Sequence, residues 1–226
     1  GTHPQLKPYL FRVDKYSICP YVVGFGITER SDVINVNNMA HGAVVGSAII
    51  REINKCNDPE ESVKKYIQKV IKDFEKGNLS IEEIGIPGGI GKKLKEYETE
   101  PAHIRGAKYS NAVLGTNFNR GSKPKRVYLK RVDSVFFENF REENPDIFPS
   151  EGVITEDHRG LTAEQREKRK TFTEFQMKQD VISFEFADQI PDSFSVDWEL
   201  MLEKDIKGPI ERILEGIDMS WEEIRT

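Results

Sequence analysis

Two short apolar runs, each ending in a glycine turn, set the strongest constraint on how this chain folds. They are Tyr21-Val22-Val23-Gly24-Phe25-Gly26 and Ala43-Val44-Val45-Gly46-Ser47. Continuous apolar runs that contain β-branched residues are typical of buried parallel strands. Helices are predicted between and after them, over residues 31–39 and 47–55. The first 54 residues are therefore expected to form a β-α-β-α segment.

The two glycine turns form a candidate anion site. Both follow a predicted strand, and Gly46 with Ser47 also opens a predicted helix. Backbone N–H groups at a helix start lack partners within the helix, and glycine lets a phosphate approach the backbone closely. The alternative is that the glycines merely let strands meet helices. Spacing alone leaves both interpretations open.

The composition of the chain changes between residues 54 and 59, where apolar and small residues are followed by charged ones. This change predicts two domains, residues 1–56 and 57–226. Charged sequence with helical periodicity follows the change, beginning with a helix start at Asp58-Pro59. Further helices are predicted over residues 102–114 and 196–216, the second of them kinked or restarted at Gly208-Pro209, and strands over 126–132 and 180–184. Residues 136–170 are interpreted as a polar, mostly acidic insertion or mobile excursion with a helix-prone part at residues 163–170. The predicted fold class is α+β, a short β/α segment followed by a mainly helical domain with a few strands.

Composition excludes several classes of protein. No apolar run approaches the ~20 residues that cross a bilayer, so no membrane partner is expected. Two cysteines, Cys19 and Cys56, are too few for a disulfide framework, which favours a reducing cytoplasm. The histidines are scattered, so no metal site is predicted. Because the chain begins at Gly1 without Met or a leader pattern, we expect a processed chain or a piece of a longer one.

A basic window between residues 105 and 131 is a candidate nucleic-acid surface. It contains no Asp or Glu, although the net charge of the whole chain is −5. Lys and Arg side chains neutralise phosphates, so sequence-independent binding is one interpretation. The alternative is a solvated positive face. The cations of the window are Arg105, Lys108, Arg120, Lys123, Lys125, Arg126, Lys130 and Arg131.

The first segment, from about residue 11 to residue 54, resembles the last two β/α units of the tryptophan synthase α chain. The resemblance rests on Val23-Gly24-Phe25-Gly26-Ile27 and on the run from Gly42 to Ile49. It implies that Gly26, Gly46 and Ser47 hold the glycerol phosphate group of a substrate. That family needs a whole (β/α)₈ barrel, which two units cannot close. A lyase activity is therefore not expected from this chain alone.

Residues 57–226 resemble the C-terminal thumb of archaeal-type family B DNA polymerases. The resemblance rests on three segments in the family's order: the run from Pro101 to Lys108, the strand at residues 180–184, and the run from Asp197 to Glu215. It implies duplex DNA and a larger polymerase catalytic subunit as partners. The palm carboxylates that hold Mg²⁺ are missing, so no cofactor is expected in this chain. The implied DNA-binding residues are His103, Arg105, Lys108, Asn111, Arg120, Lys123, Lys125, Arg126 and Lys130.

The sequence thus predicts a polymerase thumb that grips primer–template duplex and needs a separate chain for DNA synthesis. The alternative is a small-molecule phosphate-binding enzyme, or a relic of one, related to the tryptophan synthase α chain. In a third interpretation the N-terminal segment is an appendage that covers apolar surface on the second domain.

Overall fold

The computed structural model describes residues 5–17, 19, 21–24, 26–27, 29–37, 39–46, 50–51, 53–55, 57–148 and 160–225. These residues form a mixed helical and β structure with one small antiparallel sheet, which confirms the predicted α+β class. None of the helices in this part of the chain combines the length and the apolar composition that a membrane crossing requires.

The N-terminal unit, residues 5–55, is built around a short parallel pairing. Val23 and Ala43 form a parallel bridge. Around it, Val23 N–H donates to the Gly42 carbonyl at 3.0 Å, and Val44 N–H donates to the Val23 carbonyl at 2.8 Å. The two apolar runs are therefore paired, but through a single isolated bridge and not as the two buried strands that the sequence predicts. Two helices accompany it, α1 (Leu6–Tyr16) and α2 (Arg30–Asn37), and the small core consists of Leu10, Val23, Ile27, Val36 and Ala40.

The rest of the described chain contains a four-stranded antiparallel sheet. Its central strand is β2, which pairs with β1 and β4 along one edge and with β3 along the other. The strands are β1 (Ile86–Pro87), β2 (Lys125–Val132), β3 (Val181–Phe184) and β4 (Phe194–Val196). The helices are α3 (Pro59–Glu75), α4 (Ile81–Ile84), α5 (Ala102–Val113), α6 (Ser134–Glu143), α7 (Ala163–Lys178), α8 (Trp198–Met201), α9 (Gly208–Glu215) and α10 (Trp221–Arg225).

Helix α3 begins where the sequence predicts. The Asp58 carboxylate accepts from the Glu61 backbone N–H at 3.1 Å, and Pro59 occupies the first turn, where no N–H is needed. One face of the helix is buried in the main core, where Phe74 makes an edge-on contact with the Trp198 ring at 5.9 Å between centroids. Helix α3 thereby packs against the C-terminal part of the chain.

Helix α5 lies unusually close to strand β3. A Cβ added at Gly106 would lie 2.7 Å from the Ser183 hydroxyl oxygen and 3.3 Å from Val181 Cγ2. The Ser110 hydroxyl donates to the Ser183 carbonyl at 2.6 Å and accepts from the Ser183 N–H at 2.9 Å. Because β3 pairs only with β2, Ser110 satisfies backbone groups that this edge strand would otherwise leave open.

The prediction that residues 136–170 form an insertion or a mobile excursion is wrong for the part the structure describes, whereas the helix-prone part predicted at residues 163–170 lies in α7. Helices α6 and α7 lie there and bury phenylalanines in the main core. The rings of Phe140 and Phe172 stack with centroids 4.7 Å apart, and Phe137 contacts Phe172 at 5.8 Å. Apolar burial by these rings outweighs the polar composition of the segment. Residues 149–159 lie outside the described residues.

The C-terminal helix predicted over residues 196–216 is divided, and α9 starts at Gly208, where the sequence predicts a kink or restart. Strand β4 takes its first residue, and a π-helical stretch, Leu202–Lys207, separates α8 from α9. Pro209 explains the local change. In an α-helix the N–H of residue 209 would donate to the carbonyl of Asp205, but proline has no N–H and its ring crowds that carbonyl.

Candidate functional site

The two glycine turns lie at the same end of the parallel pair. Because Val23 and Ala43 form a parallel bridge, Gly26 and Gly46, each three residues further on, both lie beyond the bridge in the chain direction. In open parallel sheets, ligands bind beyond the carboxyl ends of the strands. Gly26 and Gly46, two of the three residues predicted to bind phosphate, therefore lie on the same side of the bridge along the chain direction, and their role in binding stays a prediction. Ser47, the third, lies outside the described residues.

The space around both glycines is open. A Cβ added at Gly26 or at Gly46 would meet no atom within 4 Å. Gly26 has φ +74°, in the left-handed region that glycine adopts without strain. The Gly46 carbonyl accepts from the Ile50 N–H at 3.2 Å, which is the bond expected at the first turn of a helix. An anion could approach the backbone closely at either turn.

A cluster at the opposite end of the parallel pair links the N-terminal unit to the loop before β2. The Lys123 ammonium lies 2.8 Å from Asp14 Oδ1 and 5.1 Å from the centre of the Tyr21 ring. The Tyr21 hydroxyl donates to Asp14 at 3.3 Å, and the Tyr21 N–H donates to His41 Nδ1 at 3.3 Å. The Lys123 hydrogen bond lowers the pKa of Asp14, whereas burial, followed by the Lys123 charge, lowers that of His41. Sequence reasoning missed this cluster, because no local pattern connects its members.

A second charged contact joins α2 to α4. The Arg30 guanidinium contacts both Glu83 carboxylate oxygens, at 2.8 and 2.9 Å, and donates to the Asn78 carbonyl at 3.1 Å. Glu83 also accepts from the Ser80 N–H at 2.8 Å. The Arg30 hydrogen bonds, reinforced by Ser80, lower the pKa of Glu83 to about 2. The carboxylate is therefore fixed in its charged form by two different elements.

Most of the residues predicted to contact DNA are engaged within the chain. In α5, Arg105 Nε donates to Asp180 at 3.1 Å, its Nη1 donates to the Glu100 carbonyl at 2.8 Å, and Lys108 pairs with the Glu100 carboxylate. Asn111 accepts from the Phe118 N–H at 2.7 Å and donates to its carbonyl at 2.8 Å. Arg105 and Lys108 thus hold the start of α5 to Glu100, and Arg105 also holds it to Asp180, whereas Asn111 holds the loop that follows the helix.

The cations before and at the start of β2 are also internal. Lys125 donates to the Glu82 carbonyl at 3.1 Å, and burial lowers its pKa. Arg126 Nη1 reaches the Pro87 carbonyl at 3.3 Å, while its Nε is buried without a hydrogen-bond partner. Lys123 pairs with Asp14, as above. Arg120, Lys130 and Arg131 are the exposed cations of the window.

His103 lies close to Arg126 at the start of α5. A Cβ added at Gly88 would lie 2.6 Å from His103 Cβ and 3.3 Å from Arg126 Nη1. Burial, followed by the charge of Arg126, lowers the pKa of His103. A neutral imidazole beside a guanidinium has no charge to offer a phosphate. Within the described residues, no group of three or more His, Cys, Asp or Glu side chains is arranged to hold a metal ion.

Comparison with known proteins finds similarity in the first third of the chain. A family model described as tryptophan synthase alpha chain matches residues 2–79. Residues 2–79 are similar to tryptophan synthase alpha chains. The alpha chain of Chlorobaculum parvum is 42% identical over 62 residues, which are 27% of this chain and 23% of that protein. The alpha chain of Bacillus subtilis is 43% identical over 71 residues, which are 31% of this chain and 26% of that protein. The alpha chain of Methanocaldococcus jannaschii is 40% identical over 60 residues, which are 26% of this chain and 21% of that protein. The chain spans about a quarter of the length of these relatives.

The polymerase-thumb prediction is wrong. The comparisons support the tryptophan synthase alpha resemblance and give the thumb resemblance no support. Duplex DNA and a larger polymerase subunit are likewise wrong as predicted partners. The physical reason is the internal pairing of Arg105, Lys108 and Lys123, whose charges are already neutralised by carboxylates of this chain.

Proposed function

We propose that this chain is a phosphate-binding protein related to tryptophan synthase alpha chains. In this proposal Gly26, Gly46 and Ser47 hold the phosphate group of a small phosphorylated metabolite through backbone N–H groups and the serine hydroxyl. The observation that carries the proposal is the parallel bridge between Val23 and Ala43, which supports a common position for both glycine turns at the carboxyl ends of adjacent strands. A cytoplasmic location belongs to the same proposal.

The proposed activity is binding rather than synthesis. The chain spans about a quarter of the relatives, and by resemblance the catalytic carboxylates lie on earlier strands of that fold. A site made from two glycine turns can position a phosphate but offers no general acid or base. The affinity for a free phosphate should be modest, with a dissociation constant on the order of 1 mM.

Calorimetric titration with glycerol 3-phosphate and with inorganic phosphate tests this site. Gly46→Asp places a carboxylate where the anion would sit, in a position where an added Cβ meets no atom. Gly91→Asp is the matched control, because Gly91 is equally open and lies far along the chain, in the loop before α5. Binding to the wild type and to Gly91→Asp, with none to Gly46→Asp, is the expected result. Absence of binding to the wild type at millimolar phosphate, or equal binding to both variants, removes the proposal.

The division into residues 1–56 and 57–226 remains a proposal of its own. Its boundary falls inside the matched segment 2–79, and α3, within that segment, packs in the main core with α8 and α10. Deleting residues 1–56 leaves α3 in place. A remainder that still unfolds cooperatively in urea supports the division, whereas a remainder that aggregates or unfolds without a transition contradicts it.

A further inference from the structure

The side chain of His41 closes the end of the parallel pair that lies opposite to the glycine turns. The Tyr21 N–H donates to His41 Nδ1 at 3.3 Å, and the His41 N–H donates to the Tyr21 carbonyl at 3.0 Å. Further along the two runs, the pairing consists of the isolated bridge between Val23 and Ala43. Because the pairing is so short, the hydrogen bond made by the imidazole ring is a substantial part of it.

Only a neutral imidazole can make this bond to Tyr21. A backbone N–H is a donor, so Nδ1 has to present a lone pair to it. When the ring takes up a proton, both of its nitrogens carry hydrogen and both become donors. The Tyr21 N–H and the His41 Nδ1–H would then point at each other. Protonation of this ring therefore removes the bond and leaves the Tyr21 amide without this acceptor.

The surroundings of His41 also oppose a positive charge on the ring. Burial, followed by the Lys123 charge, lowers the pKa of His41 below its ordinary value. From β2, Lys125 acts in the same direction, whereas the Asp14 carboxylate of α1 favours the charged ring. Asp14 is largely exposed and already pairs with Lys123 at 2.8 Å, so it offsets the opposing charges only in part. The ring is therefore neutral at pH 7 and takes up its proton only in acidic solution.

Tyr21 connects the imidazole to the contact with the following part of the chain. Its ring meets the His41 ring edge-on, with centroids 4.8 Å apart, and the Lys123 ammonium lies 5.1 Å from its centre. Its hydroxyl lies 3.3 Å from Asp14 Oδ1 and 3.3 Å from the Met39 carbonyl oxygen. A displacement of Tyr21 therefore disturbs both the cation–π contact with Lys123 and the hydrogen bond to Asp14.

We propose that His41 is a pH-sensitive latch between the N-terminal unit and the loop before β2. With the ring neutral the latch is closed, and Lys123 is held by Asp14 and the Tyr21 ring. Protonation opens it, because the bond to the Tyr21 N–H is lost and a second positive charge stands near Lys123. The proposal is independent of phosphate binding, since it concerns the other end of the parallel pair and is tested without phosphate.

Amide hydrogen exchange followed by NMR at pH 7.5 and at pH 5 tests the opening. Each rate is divided by the rate of an unstructured peptide at the same pH, which removes the pH dependence of the exchange chemistry itself. In the wild type we expect the protection of residues 21–24 and 39–44 to fall by at least about threefold at pH 5. The protection of β3 should not fall, because the latch does not hold the main core.

His41→Gln separates the titration from the hydrogen bond. The amide oxygen of glutamine can accept from the Tyr21 N–H, but glutamine does not titrate, so this variant should keep the same protection at both pH values. His103→Gln is the matched control. Burial also lowers the pKa of His103, but this residue lies in α5, and its variant should open at pH 5 as the wild type does.

A carbodiimide crosslink reports directly on the contact that the latch holds. This reagent joins a carboxylate and an amine that are in contact, as Asp14 and Lys123 are. At pH 5 the yield of the crosslink should be at least about threefold lower in the wild type than in His41→Gln. Equal yields in the two proteins would overturn the proposal.

The wild type alone decides the matter if His41→Gln does not fold. The Tyr21 amide signal should then titrate with the same midpoint as the His41 imidazole. Three further results overturn the proposal: protection that does not change between pH 7.5 and pH 5, protection that falls in β3 as much as at residues 21–24, or a Tyr21 midpoint that differs from that of His41.

Discussion

The Lys123 ammonium lies 2.8 Å from the Asp14 carboxylate, although the two residues are separated by 109 positions in the sequence. The Lys123 side chain is 10% exposed, while that of Asp14 is 58% exposed. This ion pair holds α1 against the loop before β2. It therefore joins the segment related to tryptophan synthase alpha chains to the chain that follows it.

Removing this ion pair should loosen the N-terminal unit. Lys123→Met keeps the length of the side chain and removes its charge. Because Asp14 is largely solvated, we expect a loss of about 1 kcal/mol or less in the local free energy of unfolding, measured by urea titration of the Val23 and Val44 amide signals. In a double-mutant cycle, Asp14→Asn should cost less in the Lys123→Met background than in the wild type. An equal cost in both backgrounds would contradict a direct interaction.

His41 should titrate below its ordinary pKa and respond to Lys123. Burial, then the nearby ammonium, disfavour the imidazolium in the folded state. Because the folded pKa lies below 6.5, the stability that His41 contributes is complete above pH 6.5 and decreases as the pH falls through the folded pKa. Lys123→Met should raise the pKa of His41 without restoring it fully, since burial remains. Imidazole proton shifts measured by NMR against pH check this, and an unchanged or lower pKa would refute it.

Gly106 should tolerate no side chain. A Cβ would lie 2.7 Å from the Ser183 hydroxyl and 3.4 Å from the Ile182 carbonyl carbon, so α5 would have to move away from β3. We expect Gly106→Ala to lower the free energy of unfolding by about 1–3 kcal/mol in urea denaturation. Gly91→Ala, where no atom lies within 4 Å, is the control and should change stability by less than about 0.5 kcal/mol. Equal stability of the two variants would show that the helix and strand can separate at little cost.

Local periodicity was a good guide to the regular elements. Residues 102–114 were predicted as helix and α5 spans Ala102–Val113; residues 126–132 were predicted as strand and β2 spans Lys125–Val132. These elements bury one regular face, so their pattern is visible without knowledge of the partner. In α6 and α7, charged residues separate the phenylalanines along the sequence. The phenylalanines are buried because the two helices pack against each other, although they are separated in sequence. That packing has no signature within either segment.

The basic window shows why a charge run is a poor guide to a binding site. The window contains no acidic residue, but its acidic partners lie outside it: Glu100 shortly precedes it, Asp180 follows it by 49 residues, and Asp14 belongs to α1. Charge pairing is decided by tertiary contacts, which composition does not reveal.

Glu83 should make the contact between α2 and α4 sensitive to acid. Its folded pKa of about 2 lies below the ordinary value of 4.5, so its contribution to stability is present above pH 4.5 and is lost as the pH falls toward 2. The Arg30 side chain is 60% exposed, so solvent screening makes the effect on stability small. Glu83→Gln should therefore be less stable than the wild type at pH 6 and nearly equal to it at pH 2, as measured by thermal unfolding. A difference that does not change with pH would mean that Arg30 does not stabilise the charged form.

Asp205 should destabilise the fold at neutral pH. Burial raises its pKa to about 6, and the charge of Arg126 offsets this only in part. Because the folded pKa lies above the ordinary 3.8, the cost of ionising Asp205 appears as the pH rises from about 4 and is complete above about pH 6. Asp205→Asn keeps the shape without the charge. It should be more stable than the wild type at pH 8, by roughly 1–3 kcal/mol, and about equal to it at pH 4.

Urea unfolding followed by the fluorescence of Trp198 and Trp221 measures the stability of Asp205→Asn at both pH values. Glu203→Gln, on the exposed side of the same π-helical stretch, is the control and should change stability by less than about 0.5 kcal/mol at either pH. If Asp205→Asn is instead the less stable protein at pH 8, attraction to Arg126 outweighs the cost of burial.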